Sequence, residues 1–215
     1  MRSRELIEQV ARQGQEDAVR HLGRSDWLSA AIGIFIEDGI DAVRITRLAD
    51  ALSVTRGSFY WHFKDRDELL SGIVAFWSQK NTAGLVAAIS GAPSFLDGMM
   101  ALFEAWIDPE RFDPRLDHAM REWAHRSEPI RKSVREADET RLEALTSLFS
   151  RFGYSSPEAL VRARIVYYSQ LGYYTLEVSE PLADRLALLE GYYEAYTGKP
   201  LDRQAADAFR GRHLG

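Results

Sequence analysis

The ten residues from Thr55 to Lys64, TRGSFYWHFK, constrain this chain more than any other stretch. They combine hydroxyl side chains with a run of aromatic rings, an arginine, a histidine and a lysine. A solvent-exposed helix face would not carry so many aromatic residues, and a buried helix would not carry Arg56, His62 and Lys64. Residues that fit neither pattern suit the groove of a DNA duplex. We therefore expect the rest of the chain to position, pair and control this segment.

Helix boundaries around this segment can be predicted from caps and turn residues. Ser25 is placed to begin a first helix, which Gly39 would end in a left-handed backbone conformation. Thr46 begins a short second helix, Thr55 begins a third, and Asp65 begins a fourth and longer one. Two short helices joined by a tight turn and braced by a first helix have helix-turn-helix geometry.

The third predicted helix carries the side chains that can read a DNA groove. Arg56 can fork onto the O6 and N7 atoms of guanine, and the face of Trp61 can meet a thymine methyl group. Gly57 lets the helix approach the groove wall without a Cβ atom, and the other donors are placed to contact phosphates. The predicted DNA-binding residues are Thr46, Arg47, Thr55, Arg56, Gly57, Ser58, Tyr60, Trp61, His62 and Lys64.

Residues 25–72 resemble the DNA-binding domain of the TetR family of transcriptional regulators. The family pattern, [ST]-[KR]-G-[ST]-[FL]-Y-x-H-F followed by lysine, stands here as Thr55 to Lys64. One departure is Ser53, where the family usually has glycine in the turn, and a left-handed serine there would cost about 1 kcal/mol. The resemblance implies a homodimer that binds a palindromic operator in double-stranded DNA, represses transcription and is released by a small-molecule effector.

Composition narrows the class of protein. The chain has 215 residues, no cysteine and a net charge of −5 at pH 7, which argues against indiscriminate nucleic-acid binding. Between Arg44 and Lys64, however, Asp50 is the only acidic residue among four basic ones. No apolar run is long enough to span a membrane, and acidic residues interrupt the N-terminus, so we expect a cytoplasmic protein with no membrane partner.

The positions of glycine, proline and helix-capping residues in the rest of the chain predict an all-α protein. We expect a three-helix helix-turn-helix domain over residues 25–72 and an antiparallel helical domain for effector binding and dimerisation over residues 73–198. Residues 1–24 form an N-terminal helical or flexible extension, either a surface helix or an arm that touches DNA. Residues 199–215 form a tail with a short helix around Ala205 to Phe209. By resemblance, the fourth to seventh predicted helices enclose the ligand cavity, and the eighth and ninth pair with a second subunit.

The eighth predicted helix, which begins near Ser156, is apolar on more sides than one surface helix needs. One side can face its own core, and the other requires a partner. Gly172 would allow a close helix crossing, and nearby tyrosines are of the kind enriched at interfaces. The predicted dimer-interface residues are Tyr167, Leu171, Gly172, Tyr174, Tyr192, Tyr193 and Tyr196.

Aromatic residues in the second domain favour an apolar or aromatic effector over a sugar or a highly charged metabolite. Each one is more often a core residue than a ligand contact, because aromatic residues at helical spacing usually pack inside. The predicted ligand-binding residues are Phe76, Trp77, Phe103, Trp106, Trp123, Phe149 and Tyr168.

His118, Glu122 and His125 share one helix face, which is chemically capable of holding a metal but is also typical of a solvated surface. A di-iron carboxylate bundle needs a second Glu-x-x-His, which this chain lacks. The metalloprotease, phosphate-loop, nucleophile-elbow and dinucleotide motifs are also absent. We therefore expect no metal, no cofactor and no enzymatic activity. Two alternatives stay open: a small-molecule-binding or enzymatic bundle with a vestigial DNA head, and a regulator controlled by a protein partner.

Overall fold

The computed structural model describes residues 22–214, so the N-terminal extension expected over residues 1–24 lies almost entirely outside the described residues. The described residues contain helices and no strand, which confirms the all-α prediction. The α-helices are α1 (Arg24–Asp38), α2 (Ile45–Ala51), α3 (Arg56–Phe59), α4 (Arg66–Trp77), α5 (Gly84–Ser90), α6 (Phe95–Ile107), α7 (Pro114–Ala124), α8 (Glu128–Arg151), α9 (Ser156–Thr175), α10 (Leu182–Ala187), α11 (Leu189–Thr197) and α12 (Arg203–Leu214).

The chain divides into two compact units, and the division falls within α4, between Ile73 and Val74. A 3₁₀ turn at Ile40–Ala42 follows α1 in the first unit, and a π-helical turn at Ser78–Ala83 joins α4 to α5 in the second. Between residues 22 and 214 no helix is long and apolar enough to cross a membrane.

An aromatic cluster forms the core of the first unit. Trp27 from α1 meets Phe59 from α3 edge-on, with ring centroids 5.4 Å apart, and both side chains are fully buried. Phe59 also stacks on Phe63 at 5.4 Å. Because Phe59 and Phe63 both point inward, the residues between them are turned toward the outside of the unit.

Two of the predicted helix starts are wrong by two residues. The first helix is capped at Gly23, whose amide donates to Asp26 Oδ2 at 2.8 Å, so Ser25 lies inside α1. The second helix is capped at Arg44, whose backbone is extended, so Thr46 lies within the first turn of α2. In both places the backbone turns into the helix earlier than the hydroxyl residue that resembles a cap.

The turn between α2 and α3 has the conformation that its serine disfavours. Ser53 adopts a φ of 57°, in the left-handed region, as expected for a position that the family usually fills with glycine. Thr55 then occupies the N-cap position of α3, although its side chain makes no capping hydrogen bond.

The second unit packs around a large apolar core to which α6, α8, α9 and α11 contribute. The helix in the predicted tail is longer than the short one expected around Ala205 to Phe209, since α12 covers Arg203–Leu214, and it buries Ala206 and Phe209 in this core. The fourth predicted helix is also interrupted, since a π-helical turn separates α4 from α5. That turn points Asn81 and Thr82 into the unit, where both are buried.

Candidate nucleic-acid interface and ligand cavity

The third helix is shorter than the sequence predicts. Regular α-helix covers only Arg56–Phe59, and the amides of Tyr60, Trp61 and His62 then donate to the carbonyls three residues earlier, at 3.0 to 3.3 Å. The chain therefore continues as a tight helical turn up to His62. Its two ends are fixed by the inward rings of Phe59 and Phe63.

The outward side of this turn exposes large aromatic residues. Trp61 is 83% exposed and Tyr60 is 58% exposed. Within residues 22–214, the side chains of Arg56 and Lys64 form no hydrogen bond or ion pair with another residue. An exposed tryptophan between two uncommitted basic side chains is unusual on a surface that faces only water.

The other predicted DNA-binding residues lie in the same unit, with different local partners. Arg47 is exposed and forms an ion pair with Asp38, which a phosphate would have to replace. Thr46 and Thr55 are exposed, whereas Ser58 and His62 are half-buried. The ten predicted residues thus lie on α2, on α3 with its N-cap Thr55, or between the end of α3 and the start of α4.

Packing within the protein does not require glycine at position 57. A Cβ atom added there would meet one atom within 4 Å, Thr55 Oγ1 at 3.6 Å, and the backbone is in ordinary helical conformation. The fold therefore leaves room for alanine at this position. A glycine that the protein does not need is consistent with close approach of another molecule.

Arg24 fixes the end of the helical turn, and sequence reasoning missed it. Its Nη1 atom donates to the carbonyl of His62 at 2.5 Å and to Glu68 Oε1 at 2.8 Å, and its guanidinium lies 4.1 Å from the centroid of the Phe63 ring. Glu68 also accepts from the amide of Lys64 at 2.7 Å. This amide, followed by the Arg24 guanidinium, lowers the pKa of Glu68. No local pattern reveals these contacts, because they join residues about forty positions apart in the chain.

In the second unit, a buried arginine on α8 is surrounded by partners. Arg141 is fully buried, and its Nη2 atom donates to Asp117 Oδ1 at 2.9 Å. Its Nε atom donates to Thr82 Oγ1 at 3.0 Å, and its Nη1 atom donates to Tyr167 Oη at 3.3 Å. Each nitrogen of the guanidinium thus has a partner. The π-helical turn is what presents Thr82 to this arginine.

A second arginine extends this network. Arg121 donates from Nε to Asp117 Oδ2 at 3.0 Å and from its two Nη atoms to both oxygens of Asp138, at 2.9 and 2.6 Å. Burial by itself raises the pKa of Asp117, but Arg141 and Arg121 outweigh it, so the pKa lies below its ordinary value. Tyr167 donates to Asp138 at 2.6 Å. Two arginines and two aspartates balance in charge, as a buried cluster requires.

A cavity of about 310 Å³ lies elsewhere in the second unit. Its walls are mostly apolar or aromatic, with polar groups from Ser169, Gln170 and Arg185. The residues that line it are Phe103, Trp106, Ile107, Tyr168, Ser169, Gln170, Gly172, Tyr173, Leu176, Val178, Arg185, Leu186, Leu189, Tyr192, Tyr196 and Phe209.

Three predicted ligand residues, Phe103, Trp106 and Tyr168, line this cavity. The other four do not. Trp77 is buried and donates to Asp117 at 2.8 Å, and Phe149 is fully buried in the core. Phe76 is exposed and Trp123 is half-buried, and neither reaches the cavity. The cavity lies among α6, which is the fifth predicted helix, and α9–α12, so of the fourth to seventh predicted helices only the fifth contributes to it. Helical spacing identified candidate aromatic residues, but it did not show which helices would enclose the cavity.

Several residues predicted to form the dimer interface are instead buried inside the subunit. Tyr167, Tyr193 and Tyr196 pack within it, and Tyr174 is half-buried and stacks on Phe112 at 5.6 Å. Leu171 and Gly172 are half-buried, and Tyr192 is exposed. The reason is that α11, which carries Tyr193 and Tyr196, packs against α9 within the same subunit, on a side that the sequence left open for a partner.

The possible metal site has no further support. His125 and Glu122 are exposed, with 3.9 Å between His125 Nε2 and Glu122 Oε1, and His118 is half-buried. Within the described part of the chain, no group of three or more histidine, cysteine, aspartate or glutamate residues is arranged to hold a metal ion.

Comparisons with known proteins agree with the geometry of the first unit. Residues 28–73 match the family described as bacterial regulatory proteins, tetR family. The HTH-type transcriptional regulator AcrR of Shigella flexneri is 40% identical over 50 residues, which is 23% of each protein. The "Probable acrEF/envCD operon repressor" of Escherichia coli K12 is 35% identical over 48 residues, 22% of each. The chain thus spans about a quarter of the length of these curated relatives.

The fold of most of the chain is also found among solved structures. AmtR of Mycobacterium smegmatis superposes with a TM-score of 0.58 at 18% identity, covering 89% of this chain and 94% of that one. A transcriptional regulator from Rhodococcus sp. Rha1 gives a TM-score of 0.52 at 17% identity, covering 90% and 96%. At this identity the likeness concerns the fold. The match over residues 28–73 identifies this stretch of the first unit with the TetR family of bacterial regulatory proteins.

Proposed function

We propose that this protein is a transcriptional repressor that binds a palindromic operator as a homodimer and is released by a small molecule bound in the second unit. The observation that carries the proposal is the exposed Trp61 between the uncommitted Arg56 and Lys64. Such a surface is favourable for a protein that buries it against a partner with negative charge and apolar base edges. The E. coli relative named an operon repressor supports repression over activation.

The helical turn offers both kinds of contact that specific DNA binding uses. Arg56 is free to fork onto a guanine, and the exposed face of Trp61 can meet a thymine methyl group. Lys64, Tyr60 and the threonines provide donors for phosphates, which fix the register of the protein on the duplex. Arg24, through the His62 carbonyl, holds the end of the turn in place, which reduces the ordering needed on binding.

The dimer interface that we propose differs from the one predicted from the sequence. Val161, Ile165 and Tyr168 lie at a spacing of four and three residues on α9, so they share one face, and all three are exposed. Leu176, 77% exposed, continues this face beyond the end of α9. An apolar stripe of this kind is typical of an interface between copies of a chain. A twofold dimer would present two recognition segments to successive major grooves about 34 Å apart.

Induction requires that the effector binds better to the form that does not fit DNA. Coupling free energies of this kind are typically about 1–3 kcal/mol. The route that we propose is α4, because this helix contributes residues to both units. A ligand in the second unit that shifts α4 would change the separation of the two recognition segments in the dimer.

The first experiment is selection of genomic fragments by the purified protein at about 150 mM salt, where nonspecific phosphate binding is weak. Wild-type protein should recover one palindromic sequence, and Arg56→Ala should lose it. Sequence-blind binding by both proteins would contradict the proposal and favour a bundle whose function is ligand binding alone. Operator binding that no small molecule changes, but that a protein partner does, would contradict the induction step.

Gly57 offers a sharper test, because it separates folding from DNA binding. Gly57→Ala should stabilise the protein by up to about 1 kcal/mol, since alanine favours a helix, yet weaken operator binding at least tenfold by placing a methyl group at the groove wall. Gly33→Ala is the matched control, because Gly33 lies in α1 and an added Cβ there meets nothing within 4 Å. Equal operator affinity in the two variants would show that Gly57 does not face DNA.

A further inference from the structure

The cavity of the second unit contains hydrogen-bond donors that the protein leaves unused. Among the described residues, three buried side-chain polar atoms have no partner, and of these only Gln170 Nε2 belongs to a residue that lines the cavity. Arg185, the one charged residue among the described residues that line it, lies beside Gln170. We propose that the cavity binds a carboxylate with an apolar or aromatic body, its head held by Arg185 and Gln170. The claim that this ligand is the effector rests on the proposed function, whereas the claim that the cavity binds it does not.

The orientation of the Gln170 amide follows from its neighbour. Its Oε1 atom accepts from Arg185 Nη2 at 3.3 Å, so a reversed amide would set two donors against each other. Nε2 is therefore the free end, on a side chain that is only 6% exposed. Burial raises the pKa of the neighbouring Tyr174, which Arg185 and Gln170 oppose only in part. The Tyr174 hydroxyl donates to the carbonyl of Trp106 at 3.4 Å and does not complete a hydrogen bond with Nε2. A buried donor of this kind is costly unless an acceptor arrives from elsewhere.

Arg185 has only weak partners. Its Nη1 atom donates to the carbonyl of Trp106 at 3.4 Å, and its bond to Gln170 is similarly long. Its guanidinium lies 4.4 Å from the centroid of the Tyr173 ring, which fixes its plane. No carboxylate of the described residues forms an ion pair with it; Glu180 accepts from Tyr173 instead, at 2.8 Å. A guanidinium that is held flat and lacks an anion suits the two oxygens of a carboxylate.

The walls and the size limit the rest of the ligand. Aromatic side chains such as Phe103, Trp106 and Tyr196 suit an aromatic or branched apolar body. A volume of about 310 Å³ lies at the lower end of ligand pockets, so the body should be one ring with a short chain. The described residues that line the cavity include no aspartate or glutamate, so an ammonium head has no carboxylate to pair with.

The test is titration calorimetry on the full-length protein in its native oligomeric state, with three probes that share one body. These are 4-phenylbutanoate, the neutral 4-phenylbutanamide and the cationic 4-phenylbutylamine. The carboxylate should bind at least tenfold more tightly than the amide, and the amine should bind least. A charge-assisted pair to a guanidinium is the stronger kind of hydrogen bond, so Arg185→Met should weaken carboxylate binding about ten- to a hundredfold while changing amide binding little.

Matched variants control for general effects of the substitutions. Arg203→Met removes an arginine from α12 whose side chain is 93% exposed, and Gln204→Leu removes an exposed glutamine from the same helix. Both should bind 4-phenylbutanoate as the wild type does, whereas Gln170→Leu should bind it more weakly. Arg185→Lys keeps the charge but loses the fork, so its affinity should fall between those of the wild type and Arg185→Met.

Several outcomes would overturn the inference. They are equal affinity for the carboxylate and the amide, equal losses in Arg185→Met and Arg203→Met, or no binding because a second copy of the chain fills the cavity. Operator binding is measured on the same samples, which separates the two proposals. A protein that binds its operator but none of the probes rejects the carboxylate site alone. A protein that binds 4-phenylbutanoate but no specific DNA rejects the proposed function alone.

Discussion

Two arginines of the second unit, Arg141 and Arg185, differ in how their donors are used. Arg141 directs every guanidinium nitrogen at a close partner, including a carboxylate, and lies between the rings of Trp77 and Phe112. Arg185 makes two long bonds to neutral oxygens beside an amide with a free donor. A hydrogen-bond network in which every group has a partner stabilises the fold, because removing any member leaves another buried group without its partner. Donors left unused beside a cavity are available to a ligand.

The largest expected effect comes from removing the carboxylate that both network arginines share. Asp117→Asn keeps the shape but leaves the buried Arg141 with only the more distant Asp138, at 3.8 Å, as a charge partner, so the free energy of unfolding should fall by about 3–5 kcal/mol. Asp207→Asn is the control, because Asp207 is exposed and its ion pairs are worth at most about 1 kcal/mol. Chemical denaturation followed by circular dichroism measures both. A loss below about 1 kcal/mol in Asp117→Asn would mean that the network is not structural.

A smaller effect is expected at high pH. Burial, reinforced by Asp138 and opposed by Arg141 and Arg121, raises the pKa of Tyr167 to about 12 from an ordinary value of 10.0. Below pH 10 the phenol is protonated whether the protein is folded or unfolded, so its contribution is fully present. Above pH 10 the unfolded chain loses this proton first, and about 2 kcal/mol of stability should be lost by pH 12.

Tyr167→Phe tests this assignment, because phenylalanine has no proton to lose. Its free energy of unfolding should start lower, since the hydrogen bond to Asp138 is gone, and should fall less steeply between pH 10 and pH 12. Tyr60→Phe is the control, since Tyr60 is exposed and lies in the first unit, away from the network. The idea fails if the wild type and both variants lose stability with the same slope.

The first unit could be predicted from sequence because its information is local. Phe59 and Phe63 are four residues apart, and their inward direction fixes which neighbours face outward. Ser53 could be predicted to be strained from the turn alone. Arg24 could not be found, because the carbonyl of His62 and the carboxylate of Glu68 reach it only in the folded chain. The identity of the DNA-contacting residues remains a prediction.

The second unit was harder to predict because burial there depends on which helix covers which. Tyr193 and Tyr196 have the composition of an interface, but they pack inside the subunit. Helical periodicity shows that a face is apolar, not whether the covering helix belongs to the same chain. Gln170 and Arg185 are fifteen residues apart on different helices, and neither belongs to a motif. Only the fold brings them to one cavity and shows that a donor is left over.

The most direct contrast between the two arginine groups uses one isosteric change in each. Thr82→Val removes the hydroxyl that accepts from Arg141 Nε and should cost about 1–2 kcal/mol, because it strands a buried charged donor. Gln170→Leu also removes an acceptor, but it eliminates a buried donor that has no partner, so the unliganded protein should keep its stability or gain about 1 kcal/mol. Thermal and chemical unfolding of the purified variants would measure both. If Gln170→Leu destabilised the unliganded protein as much as Thr82→Val, then Gln170 would be a structural member of the core. The distinction between the satisfied Arg141 network and a ligand site beside Arg185 would then not hold.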